Sequence, residues 1–583
     1  MNEEPKSIWK KSLGRNSFIF CLLVAVAGAT VVAGIGAACG LAGDAKKFAV
    51  AWIALVLLIW LLVAAIRWLC CWRNFKRFVF GCACFATLIA LFYAEENWRG
   101  KRAWENYRHE WEAKGEKFGF KDIIPPPVPD EKNFAMTPLV NSCYGYILTR
   151  DGEKIPYEQR DTNLIDRLRF DLGDNEWHTN AIGSWIKGTT SNLKLWQDFY
   201  RDLATKTNLF AVPSQPQSPA ADVLLALGKY DATVAELRQA SLLPDCRFPL
   251  DYDNECPAAI LLPHLAAMKR SSLLLQLRAI AELQNGQSEK AAADVALTLR
   301  LVDFLRSEPV LISHLVRIAM TDIIVQPIYE GLAERRWTEP QLVALDAELA
   351  KLDFLADFNF TMRCERAFSG AIIDYVSSKK RFQRYEEIFD ERWDENGNYK
   401  NEKKTLQAAG VYLMPSGWFD QNKLAIATIH EKWLLRISEP EKHLVIPQIA
   451  NEVNPLVANW KSSPCDFFVK EFLPSVAYSV HKFTREQISV DLARTAIALE
   501  HFRLAHGEFP ESLDALAPQF VAQVPHDVIG GQPLKYRRTS DGQFVLYSIG
   551  WNEKDDGGVT VIPKGGSVPK FEEGDWVWRY PQK

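Results

Sequence analysis

The sequence predicts a membrane-anchored, mainly α-helical protein, in which N-terminal transmembrane helices precede a large soluble helical domain and a small α+β module. Three observations predict this class: three apolar segments near the start, apolar residues at helical spacing through the middle, and short alternating strands at the end. The 583 residues exceed what one hydrophobic core usually holds, so we expect several units.

The predicted anchor covers residues 1–94 and contains three apolar segments, at about 18–43, 48–66 and 78–94. A helix needs roughly 20 apolar residues to cross a hydrocarbon core of about 30 Å. The first two segments reach that length, and the third lies near the lower limit of about 17 residues. A buried or amphipathic helix is the alternative for the third segment, which has no charge and ends in aromatic residues.

The distribution of lysine and arginine predicts the orientation of the anchor. Basic residues are concentrated before the first segment and between the second and the third, which places both regions in the cytoplasm. Three crossings of an inner membrane then place residues 95–583 in the periplasm, and the lipid bilayer is the first predicted partner. Arg99, Lys101 and Arg102 argue against this orientation, and the large region would be cytoplasmic if the third segment did not span.

Residues 95–129 are predicted to form a polar stalk helix that continues the third segment and a Pro-rich linker. Residues 130–484 follow as a mainly helical soluble domain. Within it, a helical hairpin near 271–306 resembles a tetratricopeptide unit, with Asn285-Gly286 at the turn. Only one such copy is evident, whereas arrays need about three repeats to bury a continuous core.

Further elements follow from spacing and turn residues. Helices are predicted at 185–205, 220–241, 311–334, 433–437 and 444–460, with one more after Thr338-Glu339-Pro340, and a strand at 144–150 before Asp151-Gly152. Arg363, Glu365 and Arg366 lie mid-helix among apolar residues. They predict a buried ion network, the lining of a cleft, or a partly exposed salt-bridged face, and the partly exposed face is favoured.

Composition excludes several functions. A net charge of −4 and a pI of about 6.3 give no basic field, so nucleic acid is not an expected partner. The chain has no Gly-x-Ser-x-Gly elbow and no Walker loop. His430-Glu431 starts a zinc-protease motif, but Leu434 stands at the position of the second histidine. No catalytic residue or cofactor site can therefore be named.

Two cysteines are candidates for a disulfide bond. Cys246 and Cys256 flank a loop rich in proline and aspartate, and they could form a bridge in an oxidising compartment. Two free thiols are the equally weighted alternative.

The pattern of residues 485–583 differs from that of the helical domain before them. A long helix over 486–505 is followed by a loop and by strands at 534–538, 543–548, 559–562 and 575–580. Residues 494–516 read Arg-Thr-Ala-Ile-Ala-Leu-Glu-His-Phe-Arg-Leu-Ala-His-Gly-Glu-Phe-Pro-Glu-Ser-Leu-Asp-Ala-Leu. Later come Val524-Pro525-His526-Asp527, Gly531-Gln532-Pro533-Leu534-Lys535-Tyr536, Leu546-Tyr547-Ser548-Ile549-Gly550 and Asn552-Glu553-Lys554-Asp555-Asp556-Gly557-Gly558.

This order resembles the C-terminal module of the major pseudopilin of type II secretion (protein G). In that family a long helix leads through a Gly-x-(Tyr/Phe)-Pro loop to a small sheet and an Asp-rich calcium loop. The chain departs from the family because it lacks a prepilin-peptidase site and carries its anchor far upstream. It also resembles bacterial multi-span membrane proteins that pair such a tail with a helical middle.

The resemblance implies a calcium site at Asn552, Asp555 and Asp556. Three oxygen-bearing side chains before two glycines could surround a hard cation. The alternative is a solvated turn, in which Asp and Gly are favoured for backbone reasons.

The function expected from the sequence is protein interaction in the envelope or in secretion, with other envelope proteins as partners. The alternative is a membrane-anchored, hydrolase-like enzyme whose site is assembled from residues distant in sequence. A deep pocket with convergent acids and histidine would favour the enzyme, and a groove or an apolar patch would favour binding.

Overall fold

A computed structural model describes residues 19–20, 22–31, 42–70, 72–144, 146–148, 154–156, 162–173, 181–207, 209–378, 380–389, 404–461, 463–563, 570 and 572–581. Most of the second half of the first apolar segment and the predicted Asp151-Gly152 turn lie outside these residues. The chain divides into two compact units, Met1–Glu96 and Asn97–Lys583.

The first unit contains α1 (Leu22–Val31), α2 (Ala42–Leu69) and the beginning of α3 (Trp72–Glu112). The third apolar segment and the predicted stalk therefore belong to one helix of 41 residues. Its apolar portion is not buried against the rest of the chain.

The second unit is mainly helical. Its first helices are α4 (Phe120–Ile123), α5 (Pro138–Asn141), α6 (Thr162–Asp166), α7 (Leu193–Thr207), α8 (Pro219–Leu227), α9 (Asp231–Ala240), α10 (Pro263–Gln284), α11 (Ser288–Phe304) and α12 (Leu311–Ala333). They are followed by α13 (Glu339–Leu349), α14 (Phe354–Ser377), α15 (Arg381–Phe389), α16 (Lys404–Leu413), α17 (Ser416–Lys432), α18 (Pro447–Ala458), α19 (Phe467–Tyr478) and α20 (Val480–His506).

The strands form three small antiparallel sheets. Two are two-stranded: β1 (Tyr146–Leu148) with β2 (Lys154–Pro156), and β3 (Ser438–Glu439) with β4 (Leu444–Val445). The third has the order β5 (Lys535–Arg538), β6 (Phe544–Ser548), β7 (Trp576–Arg579). Leu546 is opposite Tyr536 on one side and Trp578 on the other.

Two described helices, α3 and α12, are long and apolar enough to cross a membrane. The apolar part of α12 is 61% buried within the protein, as in the core helix of a soluble domain, whereas that of α3 is fully exposed. The helix α1 and residues Val50–Val63 of α2 form shorter apolar helices. The lack of burial thus makes α3 the better candidate for contact with lipid.

The predicted helical hairpin is confirmed as α10 and α11. Gly286 adopts a φ of +75° at the turn, a conformation that glycine reaches without strain. The helix predicted after Thr338 is confirmed as α13, with a capping box between Thr338 and Gln341. Both boundaries are determined by residues close to them in the sequence, which explains why they could be predicted.

Four other predictions are wrong in part. The helix predicted at 185–205 begins only at Leu193, because Gly188 turns the chain at a φ of +68° after a short 3-10 turn. Residues 433–437 contain a 3-10 turn rather than an α-helix. The helix predicted at 444–460 begins at Pro447, after β4. Residues 559–562 contribute one isolated bridge, from Thr560 to Gly574, rather than a strand.

The C-terminal sheet packs on the helical domain. Trp578 of β7 is fully buried, and its ring lies 5.4 Å from the rings of both Trp185 and Tyr329, measured between centroids. The Tyr329 hydroxyl on α12 donates to the backbone carbonyl of Arg579 at 2.9 Å. One hydrophobic core extends from Phe120 to Tyr580, and the predicted boundary near 485 lies inside α20.

Beside this contact, α12 carries a buried carboxyl group at Glu330. Its Oε1 accepts hydrogen bonds from the backbone and hydroxyl of Ser191, at 3.0 and 2.6 Å, and from the Gln326 amide at 2.8 Å. Burial is the main cause that raises the pKa of Glu330 to about 7. The native state therefore binds this proton more tightly than the unfolded chain does.

We expect this group to make stability depend on pH. The contribution is complete below about 4.5, decreases as the pH rises, and is lost above about 7. Its upper limit is roughly 3 kcal/mol. The variant Glu330→Gln should melt at a higher temperature than the wild type at pH 8. Its melting temperature should also lack the decrease that this carboxyl group causes in the wild type between about pH 4.5 and about pH 7. If the melting temperatures of the two proteins depended on pH in the same way, the raised pKa of Glu330 would be contradicted.

Candidate functional site

A groove of about 820 Å³ lies between two consecutive helical hairpins, α8–α9 and α10–α11. Local sequence explains how the first hairpin forms. The Ser218 hydroxyl accepts from the backbone N–H of Ala221, and Pro219 occupies the first turn of α8. The second hairpin contributes the end of α10, the Asn285-Gly286 turn and the start of α11.

Exposed leucines line one side of this groove. The side chain of Leu225 on α8 is 43% exposed, and that of Leu242 just after α9 is 72% exposed. Val234 and the exposed Ala235 of α9 continue the same lining. Neighbouring apolar groups left open to solvent are more typical of a contact surface than of a free one.

Charged residues form the other side. The Asp294 carboxylate is 1% exposed and accepts from the guanidinium groups of Arg238 and Arg278, the latter at 3.0 Å. Arg278 also donates to Asp231 at 2.5 Å. These contacts join α9, α10 and α11 and hold the shape of the groove.

Glu282 is the least satisfied member of this group. Its side chain is 3% exposed, and Oε1 lies 3.7 Å from a terminal nitrogen of Arg278. Its Oε2 has no hydrogen-bond partner among the described residues. Burial and then the neighbouring Asp294 raise the pKa of Glu282 to about 8. A buried carboxyl oxygen without a partner is costly, so a ligand that donates to it would gain free energy.

The chemistry of the groove is therefore suited to binding. It offers apolar contact beside one buried acceptor, which is the usual composition of a recognition site. Acids line this groove and two further cavities among the described residues, but no histidine lines any of these three.

The three predicted calcium ligands lie on one exposed turn. The Asn552 amide donates to Asp556 Oδ2 at 2.8 Å, whereas Asp555 Oδ1 accepts from the Tyr547 hydroxyl at 2.9 Å. The Lys535 ammonium lies 3.3 Å from the other oxygen of Asp555. Calcium here stays a prediction, and a melting temperature that responds neither to calcium nor to chelation would remove it.

Cys246 and Cys256 are free thiols in the structure, so the predicted bridge is not formed there. The two side chains face different neighbours. Cys246 lies near Ala135 and Glu308, and Cys256 lies near the start of its own short 3-10 turn and Glu387. Burial raises the pKa of the Cys246 thiol well above its usual value, which opposes thiolate chemistry.

The favoured interpretation of Arg363, Glu365 and Arg366 as a partly exposed salt-bridged face is wrong for Arg366, whereas Arg363, which is 42% exposed and paired with Glu116, fits it. Arg366 is 3% exposed; its guanidinium donates to Glu116 Oε2 at 2.7 Å and also contacts the carboxylate of Glu431. Glu365 accepts from the backbone N–H of Leu311 at 3.0 Å. The alternative of a buried ion network describes Arg366, and Arg363 also lines a cavity.

Sequence reasoning missed Glu282, Arg278 and Asp294. A signal was present, because Arg278 and Glu282 lie four residues apart within the run Leu273–Leu283, where Gln276 is the one other polar residue. Charges inside an apolar helical run predict buried pairs, but they do not identify the partner on the facing helix.

Comparison of the chain with protein-family models, with curated proteins and with solved structures gives no match.

Proposed function

We propose that the protein is a membrane-anchored interaction protein whose helical domain binds a segment of a partner protein in the groove between α8–α9 and α10–α11. The observation that carries this proposal is the pairing of exposed leucines with the unsatisfied carboxyl group of Glu282. The partner segment has apolar side chains and places one N–H donor against Glu282.

The membrane part of the proposal is supported by the exposed apolar portion of α3 and by the apolar helices before it. Multi-pass insertion with residues 95–583 in the periplasm follows from the distribution of basic residues. In that compartment, the resemblance of the C-terminal residues to a pseudopilin module favours partners in the envelope or in secretion. A C-terminal reporter that is active only in the cytoplasm would contradict this orientation.

The groove can be blocked by a single substitution with a matched control. Ala235 and Ala232 are both exposed on α9, but only Ala235 lines the groove. We expect Ala235→Trp to fill it and to remove the captured partner, whereas Ala232→Trp adds the same side chain outside it. The measurement is affinity capture of the full chain from detergent-solubilised membranes, with quantitative mass spectrometry of what is retained.

A second variant tests the acceptor without adding bulk. Glu282→Gln keeps the shape of the side chain but replaces one oxygen by a donor, so it should weaken the same capture at a pH above about 8, where the carboxyl group is ionised and only accepts. A partner retained equally by wild type, Ala235→Trp and Glu282→Gln would exclude the groove. Turnover of a hydrolase substrate with no captured partner would favour the enzyme alternative.

A further inference from the structure

A second cavity, of about 770 Å³, shares no lining residue with the groove. We call it the linker cleft, because the turn and Pro-rich linker at 115–126 form one of its walls. The end of α11 with Ser307 and one face of α14 form the other walls. Its volume falls within the range of roughly 300–1,000 Å³ that small-molecule sites occupy.

The linker cleft has an apolar lining beside its charges. Ile123, Ile124 and Pro125 contribute from the linker, and Phe304 and Phe360 contribute from α11 and α14. The linker itself is held in place, because the Arg247 side chain donates to the backbone carbonyl of Pro125 at 2.9 Å. This lining could receive an apolar body of a few side chains or one aromatic ring.

At one end of the cleft the carboxylate of Asp357 faces two guanidinium groups, and Asp303 also lines the cleft nearby. Arg317 is fully buried; it contacts Asp357 Oδ2 and donates through Nε to the backbone carbonyl of Val302 at 3.0 Å. Arg306 approaches the other oxygen of Asp357 only to 3.7 Å.

Arg306 is therefore a cation with unused donors. Its side chain lines the cleft, is 50% exposed, and donates no hydrogen bond to the described residues. The other arginines of the lining are committed, since Arg363 donates to Glu116 at 3.0 Å and Arg300 to Asp303 at 3.0 Å. Burial lowers the pKa of Arg317 to about 9, so it also remains charged at neutral pH.

Four further carboxylates of the lining set a limit on the positive field. Asp303 and Glu116 are paired with Arg300 and Arg363, and Asp122 and Asp245 are exposed. Solvent screens an exposed charge more strongly than a partly buried one. Asp357, at 3.7 Å, is the carboxylate in ion-pair distance of the Arg306 guanidinium among the described residues.

We propose that the linker cleft binds a short apolar molecule through a carboxylate, which Arg306 holds. A guanidinium offers paired donors that match the two oxygens of a carboxylate. The apolar body of the molecule lies against Ile123, Ile124 and Phe304. This site is separate from the groove and would take its ligand whether or not the groove binds a partner.

The test uses the full chain in detergent and probes that differ in one group. N-acetyl-Leu-Leu-Phe with a free carboxylate is compared with its C-terminal amide by isothermal titration calorimetry. We expect the acid to bind at least about tenfold more tightly than the amide, because charge-assisted hydrogen bonds contribute more than neutral ones. A third probe, 4-phenylbutyrate, carries the same carboxylate on a non-peptide body.

Two substitutions of Arg306 test whether its guanidinium group causes the preference for the acid. Arg306→Gln should abolish the preference for the acid, and Arg306→Lys should retain part of it. Arg336→Gln is the matched control, because Arg336 is 45% exposed and lies outside the cleft. If Arg306→Gln does not fold, Ala356→Trp fills the cleft without changing charge and should prevent binding of every acid.

Two results would overturn the proposal: equal affinities for acid and amide in the wild type, or an acid preference that survives in folded Arg306→Gln or in Ala356→Trp. Binding of the tripeptide acid alone identifies the C-terminus of an apolar peptide as the ligand. Binding of 4-phenylbutyrate, with or without the tripeptide acid, identifies a small organic acid. Either outcome supports carboxylate recognition at Arg306.

Discussion

Arg366→Ala is expected to lower the free energy of unfolding by about 3–5 kcal/mol, the usual cost of removing one partner from a buried ion pair. The guanidinium of Arg366 lies between the carboxylates of Glu116 and Glu431, whose side chains are 13% and 6% exposed. It also lies over the ring of Phe118, 4.2 Å from the centroid. Alanine would leave both carboxylates with little solvent and without their shared cation.

The neighbouring Arg363 provides the control. It donates to the same carboxylate of Glu116, but its side chain is 42% exposed. Exposed ion pairs contribute about 0–1 kcal/mol, so Arg363→Ala should have a small effect. Thermal melting of the full chain, followed by tryptophan fluorescence, compares the two variants. Equal decreases in the melting temperature of the two variants would mean that burial does not determine how much each arginine contributes to stability.

Trp578→Ala is expected to cost a similar amount, about 3–5 kcal/mol, because it leaves a large cavity in a buried aromatic cluster. The indole is fully buried where β7 meets Trp185 and Tyr329 of the helical domain. Since the core is continuous, the loss should destabilise the helical domain as well as the sheet.

A control of similar size is available on the surface. Tyr478, at the end of α19, is 48% exposed, and Tyr478→Ala should change stability by no more than about 0.5 kcal/mol. Melting detected by fluorescence and by circular dichroism should shift together in Trp578→Ala. If the helical signal melted at the wild-type temperature, the sheet would be an independent module and the shared core would be contradicted.

The hairpin α10–α11 and the start of α13 could be predicted because their signals are local. Apolar spacing, the Asn285-Gly286 turn and the capping residue Thr338 all act within a few residues of the helix that they define. The end of α20 at Gly507 belongs to the same class, since glycine takes the left-handed conformation at a helix terminus.

The burial of Arg366 could not be predicted because its partner Glu116 is 250 residues away in the sequence. Sequence spacing reports only on pairs within the same helix, and there Arg366 looked like part of an exposed charged face. Glu282 was missed for a related reason. Its neighbour Asp294 lies on the next helix, and only tertiary packing brings the two carboxyl groups together.

The contact between Tyr329 and Arg579 also spans 250 residues, so its two partners are synthesised at different times. Synthesis proceeds at about 5–20 residues per second, so α12 leaves the ribosome on the order of 10–50 s before β7 exists. During that interval the surface that will receive Trp578 is open. We expect the nascent helical domain to need protection from aggregation until its last strand arrives, so chaperones should bind it at this stage.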